Sequence, residues 1–473
     1  MEIAVIGAGI GGCAAYLSLK KRLPKPPSPA QDHQFIIYEA YEKPRHFDSP
    51  HPQGETHSAS LVVGGGLGVG PNGLKVLERL DKELFHDVVR AGYPYCTMKF
   101  INSYGCTLMR MSARGGSDPE INSVSMSRYA IWRTLRRRIP DGIIVTRRVS
   151  EVTANATGRN VIKFADGSAD VEVDLVIGAD GLKSATKRAL FPDAGEDPYP
   201  ACYEGLVGIG GFVPLADVHE HVEAGAMTIT FGRNGFFGYA PADTSPEEPN
   251  RHIPQGKMPP GETLLWWSTY AIDECPNPKT IDSEAVRKDL QKRHGNWQSP
   301  VIKKIIDNVR VETMYPVWTT PELPTWQRDG VVLIGDAAHT LPPTSGQGTS
   351  QALEDVECFS MFLAHYLGQI YHGESPASGD ATEADAISHA SKKYMEMRQP
   401  RVKDILSKAK RMESKKRDLS IVEEWMLYLM LFIFGHFPTI PWVKNAYAYN
   451  VAEEVNRVIE TEKKRKLSEN DKK

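Results

Sequence analysis

Apolar residues form short runs that alternate with helical or turn-rich stretches in the N-terminal part of the chain. Residues 2–6 form the first run and residues 34–38 the second. Between them, residues 13–23 have a helical pattern, and the proline-rich stretch 24–29 predicts a turn. A strand, a helix and a strand in this order predict a βαβ unit with parallel strands.

Two later apolar runs each lead to a glycine and an aspartate. Residues 173–177 lead to Asp180, and residues 331–334 lead to Asp336. Asp180 by itself would indicate only a turn. After Asp336 a loop rich in proline and glycine leads into a helix, whose first backbone N–H groups favour negative charge. This segment therefore predicts a site for an anionic group, such as the N1–C2=O edge of a reduced flavin.

The turn after the first strand carries the pattern G-x-G-x-x-G. Gly7 allows a tight turn, Gly9 allows close approach of a pyrophosphate, and Gly12 allows the helix to pack closely on the sheet. Glu39 ends the second strand and is suited to bind an adenosine ribose, although the proline-rich insertion lengthens the usual spacing. A turn without a ligand is the alternative, but Glu39 and the later Gly-Asp segment favour a dinucleotide.

Residues 199–314 have a different pattern, in which apolar runs are separated by proline-rich loops. Strands are predicted at 206–213, 227–231, 236–240 and 264–270. They indicate a separate sheet inserted into the dinucleotide domain, and ligands favour such domain interfaces. The aromatic candidates for the lining of the pocket, or otherwise for plain core packing, are Phe236, Phe237, Tyr239, Trp266 and Trp267.

Ten uninterrupted apolar residues occur at 425–434. A helix that crosses a bilayer needs about 20 apolar residues, so this run is not predicted to span a membrane. It is either a buried helix, packed on the sheet domain or on a second subunit of a homodimer, or a peripheral membrane contact. Residues 385–460 are predicted to be helical, and the charged tail 461–473 is predicted to be disordered.

The bulk composition is that of a globular intracellular protein of two or more domains. The 473 residues are 41% hydrophobic and 24% charged, and the net charge of −3 argues against a nucleic-acid partner. The six cysteines form no C-x-x-C pair and no metal-ligand spacing, so they predict reduced thiols and no metal site. Glycines interrupt the apolar N-terminus, which therefore is no signal peptide. We expect a cytoplasmic protein, membrane-associated only if the 425–434 run contacts a bilayer.

These motifs resemble those of the class A flavoprotein monooxygenases, the group of p-hydroxybenzoate hydroxylase and salicylate hydroxylase. The glycine motif and the two aspartate motifs occur in the family's order, residues 64–72 resemble its second glycine-rich stretch, and Arg128 resembles its FAD-contacting arginine. The resemblance covers residues 1–450 and is nearest to enzymes of filamentous-fungal secondary metabolism.

The resemblance implies an α/β fold with a Rossmann-like FAD-binding domain, an inserted mixed β-sheet substrate domain and a helical C-terminal region. The FAD-binding domain would comprise residues 1–198 and 315–372, and the substrate domain residues 199–314. Arg45 and His46 would lie near the flavin ring or would be surface charges. The residues implied to bind FAD are Gly7, Gly9, Gly12, Glu39, Gly65, Gly66, Arg128, Asp180, Asp336, Gly346, Gly348 and Thr349.

The chain departs from the family pattern at two places. Many relatives carry arginine in the first strand of the substrate domain, where this chain has Gly210. Many also have Ala-Asn after Gly-Gln-Gly, where this chain has Thr349 and Ser350. The first departure concerns the substrate; the second is milder, because backbone N–H groups make the flavin contact there.

The resemblance also implies the reaction. NAD(P)H would bind transiently and reduce the flavin, and reduced FAD would react with O2 to form a C4a-hydroperoxide in a pocket shielded from water. The expected reaction is hydroxylation of a small hydrophobic or aromatic, polyketide-like substrate. Tyr239 is the candidate catalytic residue, since relatives place a tyrosine there and its hydroxyl could orient or deprotonate a phenol. A structural sheet residue is the alternative.

Other reactions remain open at this point. The same flavin chemistry could give an epoxide or a Baeyer–Villiger product. A flavin reductase or a protein that merely holds FAD would insert no oxygen. A flavin halogenase is disfavoured, because its Trp-x-Trp-x-Ile-Pro signature is absent.

Overall fold

The computed structural model describes residues 1–42, 65–115, 121–195, 197–277, 281–308, 311, 314–373, 381–413, 418–436 and 447–470. Arg45 and His46 lie outside the described residues, as do Gly64 and the last three residues of the tail.

The described residues form strands and helices that we number in chain order. The strands are β1 (Glu2–Ile6), β2 (Gln34–Glu39), β3 (Gly66–Val69), β4 (Tyr93–Tyr95), β5 (Thr97–Asn102), β6 (Thr107–Ser112), β7 (Ser123–Ser127), β8 (Ile144–Thr146), β9 (Val149–Thr153), β10 (Asn160–Phe164), β11 (Val171–Val173), β12 (Leu175–Gly178), β13 (Cys202–Pro214), β14 (Ala226–Gly232), β15 (Gly235–Pro241), β16 (Thr263–Ala271), β17 (Met314–Thr319), β18 (Gln327–Arg328) and β19 (Val331–Leu333). The helices are α1 (Ile10–Arg22), α2 (Pro71–Leu80), α3 (Lys82–Arg90), α4 (Arg128–Arg136), α5 (Ser283–His294), α6 (Pro300–Asn308), α7 (Asp336–His339), α8 (Gly348–Tyr371), α9 (Glu383–Glu413), α10 (Ile421–His436) and α11 (Val451–Asn470).

The first apolar run lies in the middle of a six-stranded sheet with the order β18-β19-β12-β1-β2-β8. β1 pairs in parallel with both β2 and β12, and β12 pairs in parallel with β19. Buried strands of this kind have apolar residues on both faces, as the runs at 2–6 and 331–334 do. The predicted α/β fold with a Rossmann-like domain is therefore confirmed.

A second, seven-stranded sheet has the order β17-β13-β16-β15-β14-β5-β6. It is mixed, because β5 pairs in parallel with β14 and the other neighbours are antiparallel. The four strands predicted within 206–270 all occur in it. The sheet extends beyond the predicted insertion 199–314, since β5, β6 and all of β17 except Met314 lie outside those boundaries. Such long-range pairings leave no mark in the local pattern.

The two faces of this second sheet contact different layers. Helices α5 and α6 pack on one face and form a core with Ile209, Phe237 and Trp266. On the other face Leu265 contacts Gly66 of β3, a strand that pairs with β7. Successive side chains of a strand alternate between faces, so each residue of the sheet belongs to one layer only.

In the described part of the region 385–460, for which helices are predicted, most residues lie in α9, α10 and α11. The prediction of a disordered tail from residue 461 is wrong as far as Asn470, because α11 continues to that residue. Glu462 holds α11 against α8 and α9, since it accepts a hydrogen bond from Tyr366 Oη (2.9 Å) and forms an ion pair with Lys393 Nζ (3.1 Å). Charged composition alone could not reveal these partners.

Candidate active site

Three strand ends that carry the predicted motifs lie side by side. β1, β12 and β19 are neighbours, so the segments that follow them meet at one edge of the sheet. A Cβ atom on Gly7 would lie 2.6 Å from the carbonyl oxygen of Ala179, and one on Gly335 would lie 3.1 Å from the Cβ of Ala352. The fold therefore brings together motifs that are far apart in the chain.

Each glycine of the G-x-G-x-x-G turn has its own geometric reason. Gly7 has φ +99°, which a residue with a side chain rarely adopts, and a Cβ on Gly12 would lie 1.9 Å from the carbonyl oxygen of Gly7. A Cβ on Gly9, by contrast, would meet no protein atom within 4 Å. The open space at Gly9 and the uncapped N-terminus of α1, which has no acidic residue in its first turn, fit a pyrophosphate.

The Glu39 carboxylate fixes the same turn. Its Oε2 accepts a hydrogen bond from Ala8 N (2.7 Å), and its Oε1 accepts one from Tyr41 N (3.1 Å). Trp132 Nε1 donates to the Ala8 carbonyl (2.7 Å) from α4. The turn is thus held from both sides, and Glu39 retains acceptor capacity for a ribose hydroxyl.

The Asp180 carboxylate is used within its own turn. It accepts hydrogen bonds from Ser184 Oγ (2.6 Å) and from the backbone N (3.0 Å) and Oγ1 (3.1 Å) of Thr186. Burial raises the pKa of Asp180, and these donors partly offset the effect. Asp180 therefore shapes the chain around Gly181, where φ is +75°.

The loop from Asp336 to the start of α8 presents backbone rather than side chains. Asp336 is partly exposed at the start of α7, and Gly346 has φ +59°. A Cβ on Gly346 or Gly348 would meet no atom within 4 Å. α8 has neither a side-chain cap nor an acidic residue in its first turn. Its N-terminus consequently offers free N–H groups to an anionic edge.

The departure at Thr349 and Ser350 also has a structural reason. Thr349 is partly exposed in the first turn of α8. Ser350 is buried, and its Oγ accepts a hydrogen bond from Gly70 N (3.2 Å). The serine thereby fixes the start of α2 against the start of α8.

Gly65, Gly66 and Arg128 lie where the two sheets approach each other. Arg128 N donates to the Gly65 carbonyl (2.8 Å), and a Cβ on Gly66 would lie 1.8 Å from Leu265 Cδ1. The Nε of Arg128 is buried and has no hydrogen-bond partner among the described residues. A buried donor of this kind fits an acceptor atom of a bound cofactor.

A buried ionic network behind the α8 loop was missed by the sequence analysis. Arg398 is fully buried and donates to Asp355 Oδ1 (2.8 Å) and Glu354 Oε2 (2.5 Å). Asp355 Oδ2 in turn accepts from Gly335 N (2.9 Å) and contacts His339 Nε2 (2.6 Å). The network thereby holds the residues on either side of Asp336.

Glu354 extends this network to α2 and to a second arginine of α9. It accepts hydrogen bonds from Asn72 Nδ2 (2.6 Å) of α2 and from Arg401 Nε (2.7 Å) of α9. Burial by itself would raise the pKa of Glu354, but the charges of Arg398 and Arg401 hold it below its usual range. The cluster of acidic residues in the first half of α8, Glu354, Asp355 and Glu357, is the sequence signal that could have indicated buried cationic partners.

Trp267 marks the face of the second sheet that is directed towards the dinucleotide domain. It pairs with Gly210 on one side and with Gly238 on the other. A Cβ on Gly238 would lie 2.2 Å from the indole, so the ring lies flat across that glycine. Trp267 is partly exposed and shares its face with Leu265, which contacts Gly66. The result is an open aromatic surface.

Tyr239 lies on the opposite face, contrary to the sequence prediction. Its side chain is 5% exposed and belongs to the core that α5 and α6 form with Trp266. Burial raises the pKa of Tyr239, and hydrogen bonds with Thr228 and Ser299 only partly offset this. Phe237 and Trp266 point the same way, with ring centroids 5.4 Å apart. Of the aromatic candidates, only Phe236 and Trp267 lie on the other face, and Phe236 is buried there against α10.

Within the described residues, no group of three or more His, Cys, Asp or Glu side chains is arranged to hold a metal ion. In the same part of the chain, no helix is both long and apolar enough to cross a bilayer.

Comparison with known proteins agrees with this geometry. Residues 143–396 match the family profile of the FAD binding domain. Salicylate hydroxylase of Pseudomonas putida is 24% identical over 377 residues, covering 78% of this chain and 77% of that enzyme. The FAD-dependent monooxygenase sor5 of Hypocrea jecorina (strain QM6a) is 23% identical over 432 residues, covering 87% and 84%.

The fold also has solved counterparts. The crystal structure of Klebsiella pneumoniae HpxO complexed with FAD and uric acid aligns with a TM-score of 0.69 at 19% sequence identity, covering 94% of this chain and 96% of that one. At this identity the similarity establishes the shared architecture of the two sheets and their helices.

Proposed function

The chain belongs to the FAD binding domain family and is an FAD-dependent monooxygenase, and from this premise we propose that it uses NAD(P)H and O2 to hydroxylate an uncharged, flat, hydrophobic substrate, aromatic or polyketide-like. The observation that carries the proposal is the open aromatic face around Trp267, which is directed towards the dinucleotide domain.

FAD fits the strand-end site of the first sheet. The pyrophosphate would lie at Gly9 and the N-terminus of α1, and the adenosine ribose would lie at Glu39. The flavin end would lie near Asp336 and the free N–H groups at Gly348, with Arg128 as a further donor. When bound and reduced by NAD(P)H, FAD would supply the activation of O2, by which one oxygen atom enters the substrate and the other leaves as water.

The composition of the open sheet face supports this choice of substrate. The strand segments 206–214, 226–232, 235–241 and 263–271 contain no charged residue. Their open-face positions are mainly glycine, aliphatic or aromatic, and a charged substrate group would be desolvated there without a partner. A flat ring could instead stack on the Trp267 indole, an arrangement that aromatic pairs favour.

Gly210 supports the same conclusion. A Cβ at this position would lie 2.7 Å from the Trp266 carbonyl oxygen and 3.3 Å from the Trp267 Cβ. An arginine, as many relatives carry, would therefore require a shift of the paired strands. The chain cannot anchor a substrate carboxylate from this position, which favours a neutral substrate. The similarity to the fungal enzyme sor5 fits a role in secondary metabolism.

The test is coupled turnover with labelled oxygen. The holoenzyme is incubated with NADPH, ¹⁸O2 and neutral aromatic candidates, each matched with a carboxylated analogue. We expect the neutral compound to stimulate NADPH oxidation and to gain one labelled oxygen atom. The product structure from NMR then distinguishes hydroxylation from epoxidation and Baeyer–Villiger insertion. Carboxylated analogues that are consistently preferred, or products without the label, would contradict the proposal.

Two neighbouring tryptophans provide a matched pair of variants. Trp267→Ala removes the stacking surface and should raise KM by roughly tenfold or more, since stacked aromatic contacts contribute about 0.5–1.5 kcal/mol beyond the burial of the ring. Trp266→Phe alters the opposite face, which packs on α5 and α6. It should lower the melting temperature and leave KM unchanged. Equal kinetic effects of both variants would mean that the Trp267 face does not bind substrate.

A further inference from the structure

In the described part of the chain, most of the exposed large hydrophobic side chains lie on one helix. Of the eleven exposed large hydrophobic residues in the described part of the chain, eight lie on α10. They include Trp425 (55% exposed), Leu429 (58%) and Phe432 (47%). Tyr104 extends the surface, because its ring stacks on Trp425 with the centroids 5.9 Å apart. A continuous apolar patch of this size indicates an interaction surface.

The orientation of α10 is fixed by its other face. Leu427 and Leu431 are buried against β5 and β6, and the Tyr428 hydroxyl lies 3.0 Å from Ser103 Oγ. At the end of the helix, a Cβ on Gly435 would lie 2.8 Å from the Leu108 carbonyl oxygen. The helix therefore cannot rotate to hide its apolar face without giving up these contacts.

The charges around the helix indicate what covers it. α10 contains no lysine or arginine, and its length of about 24 Å at 1.5 Å per residue suits a helix that lies along a surface. The preceding stretch 408–417 carries six basic residues and one acidic residue in sequence. A basic stretch next to an apolar face is the combination that holds a peripheral protein on anionic lipids. A second copy of the chain would need no such basic stretch.

We propose that the exposed face of α10 inserts into the interfacial region of an anionic lipid bilayer, with Lys408, Lys410 and Arg411 at the lipid headgroups. The contact itself does not depend on the proposed function. The effect on substrate access rests on the proposed function. The buried face of α10 shares a hydrophobic cluster with Phe231, Phe236 and Trp267, so a bilayer at α10 would lie beside the substrate face. An apolar substrate dissolved in the bilayer would then have a short path to the site.

The experiment measures sedimentation of the FAD-loaded enzyme with phosphatidylcholine vesicles, with and without phosphatidylserine. We expect binding that requires phosphatidylserine and weakens with salt. The double variant Leu429→Ser/Phe432→Ser should lower the partition coefficient roughly tenfold or more, because each removes an apolar side chain that would insert. Lys410→Glu should lower it by roughly fivefold or more, since each basic residue near the surface contributes about 1 kcal/mol.

The matched control is Leu467→Ser on α11, since Leu467 is at least as exposed (65%) as Leu429 and Phe432 but lies outside the patch. It should bind vesicles like the wild type. The proposal is overturned if the wild type does not bind phosphatidylserine vesicles, or if the α10 double variant binds as well as the control. A dimer in light scattering that dissociates in the double variant would show that a second copy covers the face instead. FAD content and turnover of a water-soluble substrate should stay unchanged in every variant, which separates this test from that of the function.

Discussion

Gly9→Val tests the dinucleotide site most directly, because the structure separates its effect on the cofactor from its effect on the fold. Gly9 has φ −71° and ψ −173°, an extended conformation that valine adopts without strain. Its Cβ would meet no protein atom within 4 Å. The free energy of unfolding of the apoprotein should therefore change by less than about 0.5 kcal/mol.

The expected loss of FAD affinity follows from the N–H groups at the start of α1. The first backbone hydrogen bond of the helix runs from Cys13 N to the Gly9 carbonyl (2.9 Å), so the preceding N–H groups are available to a pyrophosphate. Hydrogen bonds to a charged group contribute about 1.5–3 kcal/mol each. A side chain that displaces the pyrophosphate from two of them should raise the Kd of FAD by roughly 10²–10⁴-fold.

The assay titrates FAD into the apoprotein and follows the quenching of flavin fluorescence, together with urea unfolding of the apoprotein. Gly368→Val is the matched control, because Gly368 also faces open space but lies in the C-terminal half of α8. Gly12→Ala serves as the control for damage to the fold. Its Cβ would lie 1.9 Å from the Gly7 carbonyl oxygen, so this variant should lower the free energy of unfolding. Unchanged FAD affinity in Gly9→Val would refute the assignment of the turn.

Three further predictions concern buried groups. Arg398→Met leaves Glu354 and Asp355 without their buried partner and should cost about 3–5 kcal/mol in urea unfolding, whereas loss of a partly exposed cation should cost less. Burial lowers the pKa of His294 to about 3 in the folded protein. As the pH falls, His294 is therefore protonated in the unfolded chain before it is protonated in the folded one. Stability should be full above a pH of about 6.5 and should decline by up to about 1.4 kcal/mol per pH unit below it, and His294→Gln should flatten this slope. Tyr239→Phe should cost about 1 kcal/mol of stability and change turnover by less than tenfold; a larger loss of turnover with normal FAD content would restore its predicted catalytic role.

Local patterns in the sequence were sufficient to predict those parts of the protein whose structure depends on residues close together in the chain. The glycine turn at Gly7 and the strand–loop–helix at Asp336 each fit within one continuous segment, so their spacing indicated both the fold class and FAD. The core strands of the second sheet were found for the same reason, since apolar runs with β-forming residues mark them directly.

The tertiary structure decided everything that depends on which layer a segment meets. β5 and β6 join the second sheet through pairing with β14, and Arg398 meets Glu354 only after α8 and α9 have packed. Neither contact has a local signature, because the partners are distant in the chain.

Tyr239 shows most clearly what the strand pattern alone could not predict. Because side chains alternate along a strand, Tyr239 and Gly238 face opposite sides of the sheet. The alternation does not indicate which side meets the flavin domain. That choice was made by α5 and α6, which cover the Tyr239 side, and by β3, which approaches the side of Trp267. The sequence by itself determined the strand and the cofactor, and the packing of layers around the strand determined which of its side chains can reach the substrate.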